Sequence, residues 1–454
     1  MEGKTNFRSI IIVFATLLLL TSCIGTNKPK QEKYNIILIS IDTLRADHLH
    51  CYKYKYMTSP NIDTFAKKSL FFEYAYCPIP KTSASFASMM TGLHPFIHKT
   101  KPNRGYLKKK YKTLAEILKS NGYYNYAIVD NANLSKKYFF DQGFDEYIGV
   151  WDKIEEKTQS TPFITQRILS FLKNKPKHPF FLWANYIEPH TPYIPSKSFI
   201  EERPKGRNIL KVRKKIIGAM RKIIKEKSIY DEGYYISLYD GAVKYVDSEI
   251  GKIINLYLKM KYNKNTIFII TSDHGEDLGE KNFYFNHGPL TFNAASRVPL
   301  ILHIPKKNHR MVKTPVSIMD IYPTILKLLN IKIPYPIQGK DLLHAHMNRA
   351  LFIYGQTGSY SVVMNSNHYI RVFPKLSKQL NLKKHHVYNI YIDPYETRNI
   401  YINNQNIANE LSKKYSFYFK THGYLKKNNN KKERKEKESL SKRELKSLKT
   451  LGYL

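Results

Sequence analysis

The sequence predicts an α/β protein with a mostly parallel sheet flanked by helices, and with a small antiparallel subdomain towards the C-terminus. Several apolar runs of strand length are continuous rather than alternating, which is typical of strands buried on both faces. Segments with helical periodicity separate these runs, and that alternation favours parallel strands covered by helices. Near Met347 the pattern changes to shorter strand-like segments, which indicate a separate small sheet.

The elements follow one another along the chain. The buried strands are predicted at 34–41, 126–129, 180–184, 266–271 and 300–304. The clearest helical patterns are at 113–120 and 239–259. The short C-terminal strands are predicted at 350–354, 361–363 and 368–372. Because ligands of parallel sheets bind beyond the carboxyl ends of the strands, the residues directly after each strand are the candidates for a site.

The N-terminal segment predicts where in the cell the protein is located. Lys4 and Arg8 precede an apolar run from Ile10 to Leu20, which is shorter than the roughly 20 residues that a spanning helix needs. A charged start before a short apolar run is typical of a secretory signal peptide. The segment that ends in Cys23, Leu-Thr-Ser-Cys, resembles a bacterial lipoprotein box. We therefore expect lipidation at Cys23 and an exported, membrane-anchored bacterial lipoprotein, periplasmic or on the cell surface; an ordinary signal with an incidental cysteine is the alternative.

Composition divides the chain into five segments. They are a signal peptide (1–22), a polar tether (23–33), a large α/β domain (34–344), a C-terminal subdomain (345–424), and a charged linker with a C-terminal helix (425–454). Within the large domain, Pro204 to Lys227 is a basic insertion with apolar residues at roughly helical spacing. It predicts a helix with a solvated face, or a helix that lies over the site or on a membrane surface.

The charge of the chain suggests anionic partners. Lys and Arg number 74 against 36 Asp and Glu, which gives a net charge of +38. A biased nucleotide composition that enriches Lys, Ile, Asn and Tyr explains the excess equally well. Export argues against nucleic acid and leaves membranes and anionic substrates as partners. Only Cys51 and Cys77 follow Cys23, which excludes a disulfide framework, and the sequence leaves open whether these two pair.

Acidic and histidine side chains follow the predicted strands. Asp273 and His274 come directly after one strand, and Asp42 comes directly after another. Three such ligands at strand ends predict a bound divalent cation, and these ligand types do not distinguish Ca, Mg, Mn and Zn. His190 and His287 also follow strands or the Asp-His pair.

Several segments together resemble the sulfatase family of the alkaline phosphatase superfamily. In chain order they are Ile39–Leu49, Thr58–Asp63, Thr113–Leu118, Gly143–Asp145, Thr271–Glu276, Arg297–Leu300, Asp320–Thr324, Asp393–Glu396 and the last seven residues, Leu448–Leu454. The resemblance covers nearly everything from Tyr34 onward. It implies the sulfatase fold, a metal-dependent site for ester cleavage, and an anionic ester substrate such as a glycan or a lipid head group.

One departure from the family pattern bears on the chemistry. Sulfatases carry a Cys or Ser that becomes formylglycine, in a motif C/S-x-P-x-R that precedes Thr-Gly. Counting back from Thr91-Gly92 places this position at Thr82, with Ala84 and Phe86 where the motif has Pro and Arg. We therefore expect no formylglycine. Family members with Thr here, such as lipoteichoic acid synthases and phosphoethanolamine transferases, transfer phosphoryl groups.

The resemblance, together with the strand-end position of Asn131, implies a role for each candidate residue, and it leaves one metal ion or two open. Asp42, Asp273 and His274 would bind the metal, and Thr43 would add an oxygen where many relatives have an Asp or an amide. The other candidates are Thr82 as the nucleophile, His190 and His287 as contacts of the transferred group or as proton donors, Arg45 as a brace of the nucleophile or an anion ligand, and Asn103 and Asn131 as substrate-binding residues.

Three hypotheses follow from these residues. The first is a metal-dependent hydrolase or transferase that acts on phosphate or sulfate esters through Thr82 and a covalent intermediate. The second is a true sulfuric ester hydrolase that uses an unmodified Thr82. The third is a surface lipoprotein that keeps the fold and binds anionic glycans without catalysis.

Overall fold

The structure, a computed structural model, describes residues 33–154, 160–176, 179–210, 220–344, 347–422 and 441–451. The predicted signal peptide and Cys23 lie outside these ranges, as does the charged stretch 425–440. Within the described ranges, no helix combines the length and the apolar character that a membrane crossing requires.

Within the described ranges, the strands form four sheets. In chain order they are β1 Asn35–Ile41, β2 Leu70–Phe72, β3 Ala75–Tyr76, β4 Tyr124–Val129, β5 Glu146–Gly149, β6 Phe180–Tyr186, β7 Thr266–Thr271, β8 Asp277–Leu278, β9 Tyr284–Asn286, β10 Arg297–Val298, β11 Leu300–His303, β12 Arg310–Val312, β13 Val316–Ser317, β14 Leu351–Gly355, β15 Ser359–Met364, β16 Asn367–Val372 and β17 His385–Asn389. The central sheet has eight strands in the order β12-β2-β11-β7-β1-β6-β4-β5. The five strands β7, β1, β6, β4 and β5 are parallel to one another, whereas β11 runs antiparallel to β7 and β2.

Helices cover both faces of this sheet. In chain order they are α1 Pro60–Ala66, α2 Thr82–Thr91, α3 Pro95–His98, α4 Leu114–Ser120, α5 Ser160–Lys173, α6 Arg221–Lys227, α7 Glu232–Lys259, α8 Asn293–Ser296, α9 Ile321–Leu328, α10 Pro374–Leu380, α11 Gln405–His422 and α12 Lys442–Thr450. α7 begins seven residues before its predicted start, at Glu232, because the Asp231 side chain accepts a hydrogen bond from the Gly233 N–H and caps the helix. In the basic insertion, α6 occupies Arg221–Lys227, and 211–219 lie outside the described residues.

Two apolar layers hold the sheet between the helices. Side chains of β1 alternate between them: Ile37, Ile39 and Ile41 belong to one cluster, and Ile36 and Leu38 belong to the other. This double burial explains why the central strands are continuous apolar runs in the sequence. The predicted α/β class with a mostly parallel sheet is therefore confirmed.

The small antiparallel sheet predicted near the C-terminus is also present. It has the order β14-β15-β16-β17, and α11 packs on it through Leu411 and Tyr415. Glu396 links this sheet to the rest of the fold: its buried carboxylate accepts hydrogen bonds from the Asn293 N–H at 2.8 Å and from His368 Nδ1 at 2.5 Å.

Candidate active site

The strand order of the central sheet places four chain segments side by side. β4, β6, β1 and β7 are neighbours, so their carboxyl ends meet at one edge of the sheet. Asp42 follows β1, Asn131 lies beyond β4, His190 lies beyond β6, and Asp273 lies beyond β7. All four side chains are buried.

Three of the predicted metal ligands form one compact cluster. Asp42, Asp273 and His274 each offer a ligand atom, and these atoms lie within 4.8 Å of one another. Asp273 Oδ2 is 3.3 Å from His274 Nε2, and Asp42 Oδ1 is 4.0 Å from the same nitrogen. The carboxylate and imidazole ligands therefore converge on a volume suited to one divalent cation.

Hydrogen bonds around the cluster leave the inward-facing atoms available to a metal. The imidazole of His274 donates from Nδ1 to the Gly275 carbonyl at 2.9 Å, so Nε2 carries the lone pair. Asp273 Oδ1 accepts from the backbone N–H groups of Thr43 and His274, whereas Oδ2 has no hydrogen-bond partner among the described residues. A buried carboxylate oxygen left in this way fits a metal ligand.

Thr43 adds an unusual backbone to the same site. Its φ is +57°, in the left-handed region that β-branched residues rarely adopt. The conformation is held by its N–H, which donates to Asp273, and by its carbonyl, which accepts from the Tyr239 hydroxyl at 2.8 Å. Thr43 Oγ1 is buried without a hydrogen-bond partner in the described part of the chain. These features are consistent with the predicted role as an oxygen ligand, and strain of this kind is concentrated at functional sites.

Asn131 makes a hydrogen bond to one of the predicted metal ligands. Its Nδ2 donates to Asp42 Oδ2 at 2.6 Å, and its Oδ1 accepts from the Asn133 N–H at 3.0 Å. The second bond caps a short 3₁₀ turn, so the side chain is fixed at both ends. The sequence predicted that Asn131 lines the pocket; the structure shows that it orients the carboxylate of Asp42.

Thr82 lies at the first position of α2, directly against the cluster. Its Oγ1 is 3.3 Å from His274 Nε2, and the residue is fully buried. Ser85, one turn later, donates from Oγ to the Asp273 carbonyl at 2.6 Å and so fixes the helix to the end of β7. The start of a helix also directs backbone N–H groups towards a bound anion.

His190 and His287 complete one wall of the site. The ring of His287 lies 4.3 Å from that of His274 and 5.3 Å from that of His190, measured between centroids. His287 Nδ1 is 3.3 Å from Glu276 Oε1, and its Nε2 is buried with no hydrogen-bond partner among the described residues. His190 Nδ1 donates to the Thr191 carbonyl at 2.7 Å, which directs Nε2 away from the backbone of this loop.

Arg45 is engaged by carboxylates rather than directed at Thr82. Its guanidinium makes two hydrogen bonds to Asp47, at 3.0 and 2.8 Å, and contacts Glu280 at 2.5 Å and the Glu276 carbonyl at 3.1 Å. These contacts tie the loop after β7 to the loop after β1. They support a bracing role and leave little donor capacity for an anion.

Asn103 lies in the loop after α3, and its Oδ1 is buried with no hydrogen-bond partner in the described residues. The adjacent Arg104 N–H donates to Asn133 Oδ1 at 3.0 Å, and Ser83 Oγ donates to the Asn133 carbonyl at 3.3 Å. Asn133 therefore connects the loop of Asn103 to the start of α2.

Sequence reasoning missed Lys81, the residue directly before Thr82. Only 9% of its surface is exposed, which is unusual for a lysine. Burial lowers the pKa of Lys81 to about 8, an effect that the nearby Glu276, Asp42 and Asp273 oppose. In the sequence, Lys81 is a cationic residue directly before Thr82, the predicted nucleophile. The residues that follow at the start of α2 are small and uncharged.

Burial dominates the electrostatics of the site. It lowers the pKa of His274 to about 3 and that of His287 well below the usual range, so both imidazoles are neutral. Burial and the charge of Asp42 raise the pKa of Asp273. Burial and Asp277 likewise raise the pKa of Glu276. Burial and neighbouring carboxylates therefore destabilise the ionised form of these acids, and a bound cation would stabilise it.

Cys51 and Cys77 are both free thiols. Cys77 is buried against the Ala295 carbonyl, with its sulfur at 3.8 Å, and Cys51 is half-buried. The pairing that the sequence left open is thus not formed.

Comparison with known proteins finds matches over most of the chain. The family model described as Sulfatase matches residues 34–331. An arylsulfatase of Clostridium perfringens is 25% identical over 410 residues, which cover 74% of this chain and 84% of the relative. A protein solved in complex with its substrate D-glucosamine-2-N,6-O-disulfate has a TM-score of 0.70 at 19% identity, covering 86% of this chain and 98% of that one. The phosphonate monoester hydrolase of Agrobacterium radiobacter has a TM-score of 0.67 at 17% identity, covering 86% and 96%.

Proposed function

The chain belongs to the sulfatase family and is an ester hydrolase of that family, and from this premise we propose that it cleaves or transfers phosphate esters through Thr82 and a covalent intermediate. One observation carries the proposal. The Thr82 hydroxyl lies 3.3 Å from His274 Nε2, at the edge of the cluster of Asp42, Asp273 and His274.

The residue type at this position favours phosphorus over sulfur. A formylglycine hydrate has a second hydroxyl that can expel sulfate from its sulfated form, whereas a threonine has one hydroxyl only. Release from a threonine ester therefore requires attack at the transferred atom itself. A phosphothreonine can be attacked in line by water or by an acceptor alcohol, which makes the chemistry of Thr82 fit phosphoryl transfer.

Two displacements account for all atoms. In the first, Thr82 Oγ forms a bond to phosphorus, its proton passes to a base, and the bond between phosphorus and the leaving oxygen breaks. In the second, water or an alcohol forms the new bond to phosphorus, and the bond to Thr82 Oγ breaks. In this step the water or alcohol gives up a proton and Thr82 Oγ regains one. Hydrolysis of a monoester returns inorganic phosphate, hydrolysis of a diester returns a monoester, and transfer returns a new ester; each restores the free Thr82 hydroxyl.

His287 and His190 are placed to move the protons. The ring of His287 lies beside those of His274 and His190, and the lowered pKa of His287 keeps its Nε2 unprotonated in the resting site. A bound phosphoryl dianion favours the protonated ring, which can then donate to the leaving oxygen. Glu276 faces Nδ1 of His287 and holds the ring in place.

Asp42, Asp273 and His274 would hold the metal, with Thr43 as a further oxygen ligand. A divalent cation bound there would stabilise the charge of the transferred group and lower the pKa of the Thr82 hydroxyl. Within the described residues, one such group of acidic and histidine ligands is found. A single ion, Ca²⁺, Mg²⁺, Mn²⁺ or Zn²⁺, is therefore proposed.

The test compares aryl phosphate, aryl phosphodiester and aryl sulfate turnover in the presence of each metal. We expect the phosphate esters to be cleaved, Thr82→Ala to abolish turnover, and acid quenching to trap phosphate on Thr82, visible by mass spectrometry. Ser83→Ala is the matched control, because the neighbouring hydroxyl donates to the Asn133 carbonyl instead. Turnover that survives Thr82→Ala would refute the assignment of the nucleophile.

A second candidate is a sulfuric ester hydrolase that uses an unmodified Thr82. It is favoured by the names of the relatives, which include an arylsulfatase, and by a structural neighbour whose substrate is a disulfated glucosamine. A consistent preference for aryl sulfate over the matched phosphate would establish this reading. Binding of a sulfated glycan without turnover of any ester would instead support the non-catalytic hypothesis.

We also propose that the protein is exported and anchored to the membrane by lipidation of Cys23. The apolar run before Cys23 and the polar tether after it support this proposal. Metabolic labelling with a fatty acid tests it: label should be incorporated in the wild type and lost in Cys23→Ala.

A further inference from the structure

A cavity lies at the same edge of the central sheet as the candidate site, further along the strand order. In that order β6 and β4 are followed by the outermost strand, β5. The residues that directly follow these three strands line the cavity: Ile187 after β6, Asp130 after β4 and Val150 after β5. Asp130 is the chain neighbour of Asn131, and the Ile187 carbonyl accepts a hydrogen bond from the His190 N–H at 2.8 Å. The cavity therefore borders the site.

The C-terminal helix α12 closes this cavity. It packs on the 3₁₀ turns Ala132–Leu134 and Val150–Asp152. Its Leu448 is fully buried in the same apolar cluster as Trp151, so the helix is docked through its apolar face. The cavity has a volume of about 110 Å³, which is several times the roughly 30 Å³ that one water occupies in the liquid. It therefore has room for a small organic group.

The inner walls of the cavity are largely apolar. Val150, Trp151 and Ile187 line it from the sheet side, and Leu451 lines it from the end of α12. The Trp151 ring crosses the end of β5 so closely that a Cβ on Gly149 would come within 2.5 Å of its Cζ2 atom. An indole ring held in this way offers a rigid apolar surface to a ligand. A sugar unit would leave several of its hydroxyl groups without partners against such walls.

The rim of the cavity is cationic. Arg443 and Lys446 of α12 line it, and both side chains are exposed. Arg443 Nη1 donates to the Asp152 carbonyl, a neutral acceptor that orients the guanidinium without cancelling its charge. α12 carries four basic residues and one acidic residue. An anionic group at this rim is therefore attracted and can accept charge-assisted hydrogen bonds.

Asp130 determines which way an anion would lie. Its carboxylate belongs to the end of β4, whereas Arg443 contacts the turn after β5, which is one strand further from the site. Like charges disfavour an anionic group beside Asp130. The anionic end of a ligand therefore belongs at α12, and its apolar body extends along Trp151 towards the site.

We propose that this cavity binds an organic anion with an apolar body, which packs on Trp151 while Arg443 and Lys446 hold its anionic group. Because the cavity borders the site, this anion is the leaving part of the ester that is cleaved there. That last step rests on the proposed function. The binding of the anion in the cavity does not depend on it.

Tryptophan fluorescence measures this binding without turnover. The chain has two tryptophans, and Trp183 is fully buried in the core, so Trp151 is the one that a ligand in the cavity would touch. The probe is 4-phenylbutanoate, which contains no ester, titrated into the wild type. We expect a saturable change in fluorescence. The uncharged 4-phenylbutanol and the hydroxyl-rich anion glucuronate should each bind at least about 10-fold more weakly, because each lacks one half of the required chemistry.

Substitutions on α12 locate the anionic group. Arg443→Met and Lys446→Met should each weaken the binding of 4-phenylbutanoate by about 3- to 10-fold, as for loss of an exposed charge-assisted hydrogen bond. Both side chains are exposed, so the fold should be retained. Lys449→Met is the matched control, since Lys449 is exposed on the same helix but does not line the cavity, and its affinity should stay within about twofold of the wild type.

Several results would overturn the assignment of this ligand. One is a wild type whose fluorescence does not change with 4-phenylbutanoate. Another is glucuronate that binds as tightly as 4-phenylbutanoate, which would indicate a site for sugar acids. A fluorescence change that persists in Trp151→Phe, or an affinity that neither Arg443→Met nor Lys446→Met alters, would place the ligand elsewhere.

Steady-state kinetics then test the link between the cavity and the site. Phenyl phosphate is compared with 4-(4-phosphonooxyphenyl)butanoate, whose leaving group carries the same apolar body and a distal carboxylate. We expect the second ester to have a KM about 10-fold lower, and Lys446→Met to remove most of that difference. Equal KM values for the two esters would refute the view that the bound anion is the leaving part. A protein that binds 4-phenylbutanoate as expected but cleaves no phosphate ester would overturn phosphoester cleavage and leave the ligand of the cavity standing.

Discussion

Replacement of Asn131 by alanine tests how the site holds its metal. The substitution removes the hydrogen bond from Nδ2 to Asp42 Oδ2, which is 2.6 Å long and ends on a buried carboxylate. Asp42 would keep its place in the chain but lose one of the contacts that direct it at the cation. The metal should therefore bind more weakly, although none of its ligands is changed.

The size of this effect follows from the nature of the bond. Hydrogen bonds to charged groups contribute about 1.5–3 kcal/mol, and each 1.4 kcal/mol corresponds to about tenfold in affinity. The dissociation constant of the metal should rise by about 10- to 100-fold. Loss of contacts that orient metal ligands in other proteins has effects of about the same size. Asn131 Oδ1 also caps a 3₁₀ turn, and its loss should cost about 1 kcal/mol of stability with or without metal.

Calorimetric titration of the metal-free protein measures the dissociation constant directly and keeps the two effects apart. Asn174→Ala is the matched control, because Asn174 is exposed at the end of α5 and its side chain lies 3.5 Å from Ser170. An Asn131→Ala variant that binds the metal as tightly as the wild type would refute the view that this asparagine orients Asp42.

Two further predictions concern stability. Burial and the charge of Asp42 raise the pKa of Asp273, so the unfolded chain releases this proton at a lower pH than the folded chain. The metal-free protein should therefore lose stability as pH rises above about 4. Urea unfolding in EDTA should therefore show Asp273→Asn to be more stable than the wild type by a margin that grows with pH, and a margin independent of pH would contradict this reasoning. Glu396→Ala should lower the unfolding free energy by about 3–5 kcal/mol, since it leaves buried His368 and the Asn293 N–H without their partner. The exposed Glu410→Ala is its control and should change stability by less than about 1 kcal/mol; an equal effect of the two would contradict the docking role of Glu396.

Much of the fold could be predicted from local patterns. The runs that became β1, β6 and β7 are continuous because apolar residues face helices on both sides of the sheet. The start of α7 could not be read from periodicity, because the cap at Asp231 is set by a single side-chain hydrogen bond. The antiparallel pairing of β11 with β7 could not be predicted either, because an apolar run of residues looks the same in a parallel and in an antiparallel strand.

In the candidate site, too, some features could be predicted from the sequence and others could not. Asp42, Asp273 and His274 could be proposed as ligands because each directly follows a strand, and ligands collect at such ends. The position of Thr82 was predicted by its spacing from Thr91-Gly92, and the structure places its Oγ1 3.3 Å from His274 Nε2. Arg45 could be singled out by its motif, but its contacts with Glu280 and the Glu276 carbonyl depend on a loop far away in the chain.

The sequence by itself determined the class of the fold, the family to which the chain belongs, and the residue types that could bind a metal and attack an ester. Only the tertiary structure decided what the neighbouring side chains do. Asn131 donates a hydrogen bond to Asp42, and the stem of Lys81 packs against Gly288. The reason is physical: periodicity and spacing report which residues are buried, whereas the partner of a buried polar group is set by strand order and by loops that meet only when the chain has folded.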